Sequence, residues 1–321
     1  MVVFGQLVVG PPGAGKTTYC TGMQQLLTAL KRPRLVVNLD PANDDLPYEC
    51  DIDIRELVNV EDVMEELKLG PNGALVYAME YIEVNLDWLI TRIRTATKDV
   101  AVPYVLFDSP GQVELYTHHD IMTKITQQLT KALDLRLVAV HLVDSTLCVD
   151  AYRYISAVLL ALSAMMQMEL PHVNVLSKID MLMEHTDDLD FKLDYYAGVQ
   201  DLSQLLLTLQ TNRHPLSAKY CEFHKLMAEL IEDYSLVCFE PLDIQDKECA
   251  LRVLGRCDAA NGHIMNAEKI NDPSDPVSGI RMFGVSMDEG LPLEDCIEQY
   301  EERYKARKAE EESEGCDLPA G

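Results

Sequence analysis

The chain has 321 residues, 48% hydrophobic and 25% charged. These proportions fit two domain-sized units or one large α/β domain and exclude a collagenous, disordered or disulfide-scaffold chain. The formal net charge of −26 excludes a surface built to track nucleic-acid phosphates or to lie on an anionic membrane, leaving only a local basic pocket for a small anion.

The nine cysteines are scattered and form no C-x-x-C pair. They predict neither a disulfide framework nor a zinc knuckle, but reduced thiols in a cytosolic or nuclear compartment.

The first predicted strand is Val2–Val9. It runs into Gly10-Pro11-Pro12-Gly13-Ala14-Gly15-Lys16-Thr17, which has the form G-x-x-x-x-G-K-[ST], and a helical stretch follows over Thr17–Leu30. In that strand–loop–helix setting the glycines let backbone N–H groups curl around an anion, and the helix N-terminus adds partial positive charge. Lys16 supplies a full charge near β- and γ-phosphates, and the Thr17 hydroxyl is placed to hold Mg²⁺. Gly13, Ala14, Gly15, Lys16, Thr17 and Thr18 are therefore candidate nucleotide-binding residues. A phosphate loop beginning at Gly10 also predicts no cleaved leader ahead of it.

The second predicted strand, Leu35–Leu39, ends at Asp40-Pro41-Ala42. Pro41 holds Asp40 extended at the strand tip. There Asp40 is a candidate for positioning the nucleophile or meeting Mg²⁺ through water, or it starts a plain turn. The interval from about Asp44 to Lys98 exceeds one crossover helix and predicts an inserted, mostly helical element with a turn at Gly70-Pro71-Asn72-Gly73.

The third strand, Val102–Phe107, leads into Asp108-Ser109-Pro110-Gly111-Gln112. An Asp at the carboxyl end of an apolar strand lies where open α/β sheets bind ligands. Asp108 is the candidate Mg²⁺ carboxylate, and Gly111 can offer its N–H to a γ-phosphate in the D-x-x-G manner. Gln112 is the candidate for orienting an attacking water, with Glu114 on the same loop.

Two further strands are Leu137–Val143 and Val173–Leu176, the latter followed by Ser177-Lys178-Ile179-Asp180. GTPases read guanine with [NT]-K-x-D at a strand end. The carboxylate of Asp180 would accept from the guanine N1–H and exocyclic amine, Lys178 would lie over the base, and Ser177 stands where Asn or Thr is usual. Helical periodicity over Lys219–Ser235 puts Tyr220, Phe223, Leu226, Leu230, Ile231 and Tyr234 on one stripe. The sixth strand is Leu236–Phe239, after which Leu242 or Asp243 would contact a base mainly through backbone.

The strands are rich in Val and Leu with little period-2 alternation, as in strands buried on both faces. The predicted fold class is thus α/β: a P-loop NTPase with a mainly parallel sheet flanked by helices, plus the helical insertion. Residues 1–258 read as this domain and 259–321 as loop and tail. Ala259–Met282 is rich in Asn, Asp, Pro and Ser, and Asp288–Gly321 carries a strong acidic excess, which predicts a short charged helix fraying into a disordered tail.

Taken together, the P-loop, Asp40-Pro41-Ala42, Asp51-Ile52-Asp53-Ile54-Arg55, Gly70-Pro71-Asn72, Asp108-Ser109-Pro110-Gly111-Gln112 and Ser177-Lys178-Ile179-Asp180 resemble the GPN-loop GTPases. The likeness runs from Phe4 to about Gly262, and several stretches, among them Asn85-Leu86-Asp87-Trp88-Leu89, are most like one eukaryotic paralogue. The resemblance implies a Mg²⁺-dependent GTPase that cycles between GTP and GDP as a homodimer or as a heterodimer with another member. It implies that Gly70, Pro71 and Asn72 reach across the interface, with Asn72 pointing its amide at the partner's nucleotide. It further implies a role in assembly and nuclear import of RNA polymerase II and related complexes, from a cytoplasmic location with passage to the nucleus. The alternatives are a nucleotide-dependent binding scaffold with negligible hydrolysis and a small-molecule kinase; the latter would need an arginine-rich lid, and the sequence has no arginine cluster.

Overall fold

The computed structural model of the chain describes residues 2–43, 45–98, 100, 102–185, 189–199, 202, 204–206, 215–263 and 292–316. Its centre is a seven-stranded sheet of β1 (Val3–Val9), β2 (Arg34–Asn38), β3 (Ile52–Asp53), β4 (Tyr104–Asp108), β5 (Leu135–Asp144), β6 (His172–Ser177) and β7 (Phe239–Leu242). The spatial order is β3-β2-β4-β1-β5-β6-β7, and every strand pair is parallel.

Parallel pairing explains the near-continuous burial of the central strands, because crossover helices cover both faces. The helices are α1 (Lys16–Ala29), α2 (Val60–Leu67), α3 (Pro71–Val84), α4 (Leu86–Thr97), α5 (Glu114–Thr117), α6 (Ile121–Leu133), α7 (Ala151–Met168), α8 (Ile179–Met183), α9 (Leu193–Gly198), α10 (Pro215–Tyr234), α11 (Lys247–Asn261) and α12 (Leu293–Cys316).

Two core layers result. On one face Phe4 and Val8 of β1 pack with Tyr19, Met23 and Leu27 of α1 and Val253 and Leu254 of α11. On the other, Val3, Leu7 and Val9 meet Leu89 and Ile93 of α4 and Ile125 and Leu129 of α6. Each such fully buried aliphatic side chain contributes roughly 1.5–3 kcal/mol. Among the described residues no helix is long and apolar enough to cross a membrane.

The insertion is mostly helical, as the sequence predicts, but it also adds the edge strand β3, which pairs Val37 with Ile52 and Asn38 with Asp53. Asp53 stiffens that edge by accepting from Asn38 Nδ2 at 3.0 Å and Arg55 Nη2 at 2.6 Å.

Three expectations are corrected. The sixth predicted strand, Leu236–Phe239, sits too early: Leu236 is exposed and β7 begins at Phe239. The apolar stripe of α10 is not one buried face. Ile231 and Ala228 face the core, whereas Tyr220, Phe223, Leu226, Leu230 and Tyr234 are exposed. The region after residue 258 is more helical than expected. Helix α11 continues through that boundary to Asn261, and α12 is a long helix whose Cys296, Ile297 and Tyr300 are buried. Their spacing forms a short apolar stripe that outweighs the surrounding charge. The Asn/Asp/Pro/Ser-rich stretch lies almost wholly outside the described residues.

Candidate functional site

The parallel register delivers the predicted residues to one edge of the sheet. Val8 of β1 lies beside Asp108 of β4, Val9 beside His141 of β5, Asp144 of β5 beside Ser177 of β6, and Ser177 beside Leu242 of β7. The chain winds outward in both directions from β1, so a crevice opens at the carboxyl ends of β1, β4 and β5.

The loop after β1 turns at Gly10, whose φ is +149°. A Cβ there would sit 2.5 Å from the Leu142 carbonyl oxygen of β5, so only glycine lets the two strands approach this closely. Gly15, at the N-cap of α1, offers no side-chain cap. The first-turn amides of α1 therefore have no side-chain acceptor and form an anion-binding end.

Lys16, on the first turn of α1, is buried. Its ammonium donates to the Gly10 and Pro11 carbonyls at 3.1 and 3.3 Å. Burial lowers its pKa, and the carboxylates of Asp108 and Asp40 oppose that shift.

Asp108 ends β4 and is 1% exposed. Its Oδ2 accepts from the Tyr48 hydroxyl at 3.0 Å, and the nearby Thr17 hydroxyl also favours its charged form. Oδ1 is buried without a partner. Burial pushes the Asp108 carboxyl up to about 6, against the pull of those two hydroxyls and Lys16. Such a group favours a cationic partner over water-free solitude.

Asp40 closes an Asx turn by accepting from the Ala42 N–H at 3.0 Å. Burial raises its pKa, and Lys16 and Arg55 act in the opposite sense. Gly111 packs so near Lys16 that a Cβ would lie 3.1 Å from its Nζ. On the same loop Gln112 Oε1 is buried with no partner.

A second part of the crevice is lined by Ala14, Gly15, Thr18 and Tyr19 on one side, by Ser177, Lys178 and Asp180 on another, and by Leu242, Asp243, Ile244 and Gln245 on a third. The Ser177 hydroxyl reaches the Ala14 carbonyl at 2.8 Å, tying the end of β6 to the phosphate loop. Lys178 adopts a left-handed conformation with φ +60°, and its ammonium pairs with Asp144 Oδ2 at 2.7 Å. Asp180, in the first turn of α8, is half-buried, and burial and the Asp243 charge raise its pKa.

The structure thus gathers Gly13 to Thr18, Asp40, Asp108, Gly111, Gln112 and Ser177 to Asp180 along one crevice. Gly70 caps α3 and Pro71 begins it; with Asn72 they are exposed, and none is among the residues lining the base-side cleft.

The sequence reading missed Tyr48, Asp144 and the partners of Asp243. Asp144 was findable, since like Asp108 it ends an apolar strand. Tyr48 has no local signal.

The known proteins that this chain resembles agree with the geometry. Residues 8–263 match the family model described as "Conserved hypothetical ATP binding protein". The chain is 54% identical over 263 residues to GPN-loop GTPase QQT1 of Arabidopsis thaliana, covering 82% of this chain and 86% of that protein. It is 42% identical over 320 residues to GPN-loop GTPase 2 of Schizosaccharomyces pombe, covering 97% of this chain and 99% of the other. The crystal structure of PAB0955, a GTPase from Pyrococcus abyssi in apo form, superposes with a TM-score of 0.61 at 24% identity. It matches 81% of this chain and 97% of its own, a likeness of fold. With the family model spanning most of the chain and relatives of this identity along nearly its whole length, the chain belongs to the GPN-loop GTPases.

Proposed function

We propose that this protein binds GTP with Mg²⁺ and hydrolyses the γ-phosphate by in-line attack of water, as a dimeric switch. The observation that carries this reading is the convergence in one crevice of Lys16, the buried Asp108 carboxylate with its unpartnered oxygen, and the cleft walled by Ser177, Lys178 and Asp180.

The residues present fit Mg²⁺. Asp108 Oδ1 has no hydrogen-bond partner, and the Thr17 hydroxyl lies close enough to favour the charged carboxylate, so Thr17 and Asp108 would hold the ion. When bound, Mg²⁺ neutralises charge on the β- and γ-phosphates.

The protein's own groups supply the rest. Amides of Gly13, Ala14, Gly15 and Lys16, with Thr17 and Thr18 behind them, would cradle the phosphates, and Lys16 would spread its charge over the transferred group. The Gly111 N–H would donate to the γ-phosphate and be released on hydrolysis, leaving GDP. Gln112, whose Oε1 lacks a partner, would orient the attacking water, with Asp40 close enough to Lys16 to share that task.

Asp180 would accept from the guanine N1–H and exocyclic amine. Adenine presents no such donor pair, which favours GTP over the ATP of the family model's description. Lys178, held by Asp144, would lie along the base.

The exposure of Asn72 on the first turn of α3 supports a site completed in trans. The Asn72 amide of a second subunit would donate to developing phosphate charge, the task of a trans arginine in other GTPases. A homodimer and a heterodimer with another GPN-loop GTPase both satisfy this. The resemblance extends the reading to assembly and nuclear import of RNA polymerase II and related complexes, from the cytoplasm with passage to the nucleus.

The test is Mg²⁺-dependent hydrolysis of GTP and ATP by the purified chain across a range of protein concentrations, beside Lys16→Ala and Asn72→Ala. GTP selectivity, a specific rate that rises with concentration, loss of nucleotide binding in Lys16→Ala and a slowed rate in Asn72→Ala are expected. Preference for ATP, or unchanged binding in Lys16→Ala, refutes the assignment.

A further inference from the structure

Helix α12 lies against the base end of the cleft. Tyr300 Oη donates to Asp243 Oδ2 at 3.2 Å, and Arg307 Nη2 donates to the same oxygen at 2.8 Å. One turn earlier, Arg303 Nε donates to Asp246 Oδ2 at 2.9 Å. The Asp243 side chain is 2% exposed, while that of Arg307 is 35% exposed. A carboxylate buried so fully needs a counter-charge and hydrogen-bond donors, and α12 brings both from fifty-seven and sixty-four residues along the chain.

The other oxygen of Asp243 accepts from the Gln245 N–H at 2.9 Å. That bond shapes the Leu242–Gln245 segment, which faces Ser177–Asp180 across the base cleft. Asp243 therefore has two sides: its backbone walls the cleft and its carboxylate is gripped from outside. A neighbouring cleft lined by Asp180, Gln245, Tyr304 and Arg307 brings the arginine and the base-reading carboxylate to common walls.

We propose that Arg307, with Tyr300 beside it, is a positioning and specificity-determining residue for the guanine base. It neutralises Asp243 and holds the Leu242–Gln245 wall in place opposite the Asp180 carboxylate that accepts the guanine donors. This rests on the reading of Asp180 as the base reader.

The charges around Asp180 support it. Burial and the Asp243 carboxylate raise its pKa, and Arg307 lowers it. Glu184, at the C-cap of α8, and Lys308 of α12 also line the neighbouring cleft, where they pair with each other at 3.3 Å. Lys178 is engaged by Asp144. Among the described residues, Arg307 bonds Asp243 and its charge also acts on Asp180. Without it two carboxylates face each other, Asp180 titrates at higher pH, and its protonated form loses an acceptor that guanine needs.

The experiment measures GDP and IDP affinity of the full chain by calorimetry from pH 5.5 to 8.5. IDP lacks the exocyclic amine, so the GDP-over-IDP preference reports on the Asp180 contact. Variants are Arg307→Gln, Arg307→Lys, Tyr300→Phe and, as the control for the underlying reading, Asp180→Asn.

Arg307→Gln is expected to weaken GDP binding about tenfold at pH 6, as befits a lost bond to a buried charge. The loss should shrink toward pH 8.5, and the GDP-over-IDP preference should fall. Arg307→Lys should recover part of the preference, and Tyr300→Phe should shift it less in the same direction. The inference is overturned if Arg307→Gln binds GDP within twofold of wild type at every pH. It is also overturned if the loss is equal for GDP and IDP and independent of pH, since α12 is then only a brace. An Asp180→Asn variant that keeps the wild-type GDP-over-IDP preference overturns the base-reader assignment instead, whatever Arg307→Gln does.

Discussion

Replacing Asp108 by Asn is expected to stabilise the nucleotide-free protein while abolishing turnover. Asp108 is 1% exposed, and burial raises its carboxyl from the ordinary 3.8 to about 6. Below pH 4 the group is protonated in both folded and unfolded chains, and its titration carries no penalty. Between pH 4 and 6 the unfolded chain releases the proton while the folded chain retains it, so stability falls as pH rises. Above pH 6 the penalty is complete. A shift of roughly two units corresponds to about 3 kcal/mol.

The asparagine amide is uncharged and keeps an acceptor for Tyr48. Its N–H groups take the place of the unpartnered Oδ1, and their imperfect pairing offsets about 1 kcal/mol. The expected net effect is a gain of about 2 kcal/mol at pH 7.5 that turns into a loss of up to about 1 kcal/mol at pH 4. Urea unfolding of the nucleotide-free protein at both pH values reads this directly, with m checked for constancy. Mg²⁺ should also stabilise GDP-bound wild type but not GDP-bound Asp108→Asn. A variant no more stable than wild type at pH 7.5, or equally stabilised at both pH values, refutes the argument that the site holds a desolvated charge in reserve for a cation.

Three further outcomes are expected. Gly10→Ala forces a Cβ to within 2.5 Å of the Leu142 carbonyl at φ +149°; a loss of about 2 kcal/mol or more, read by urea unfolding, is expected, and wild-type stability would show that β1 and β5 do not meet there. Ser177→Ala removes the hydroxyl that reaches the Ala14 and Val143 carbonyls at 2.8 and 3.0 Å. It should cost about 1 kcal/mol and weaken GTP and ATP binding alike, because it loosens the phosphate loop and not the base contact; a change confined to GTP would refute this. Arg32→Ala leaves Asp258, 2% exposed and paired at 2.6 Å, without its cation, and about 3 kcal/mol of stability should be lost; a thermal midpoint within one degree of wild type would contradict it.

Much of the site was legible because its parts are continuous in sequence. Gly10 to Thr17, Asp108 to Gln112 and Ser177 to Asp180 are each a strand end followed by a few residues, and such segments impose their local geometry wherever a parallel sheet forms. The sheet was legible for a similar reason, since strands covered on both faces must be apolar throughout.

Less was legible where the neighbour is distant. Tyr48 on Asp108, Asp144 on Lys178, and Tyr300 and Arg307 on Asp243 join residues thirty-four to sixty-four positions apart, and no periodicity marks such pairs. The α10 stripe shows the converse limit. Its spacing is helical, but whether Phe223 and Leu226 are covered depends on what packs beside them, and α10 presents Ala228 and Ile231 to the core instead.

Composition and local pattern by themselves determined an α/β chain with a G-x-x-x-x-G-K-T loop, a carboxylate at a strand end and a K-x-D segment after another strand, because each is a matter of neighbouring residues and backbone stereochemistry. Tertiary structure alone decided that Asp108 is desolvated enough to rise to about 6, that Asn72 is exposed on α3, and that a charged helix, α12, grips the Asp243 carboxylate beside the cleft. Burial, charge proximity and exposure depend on which distant segments the sheet register brings together, and no single stretch of chain encodes that.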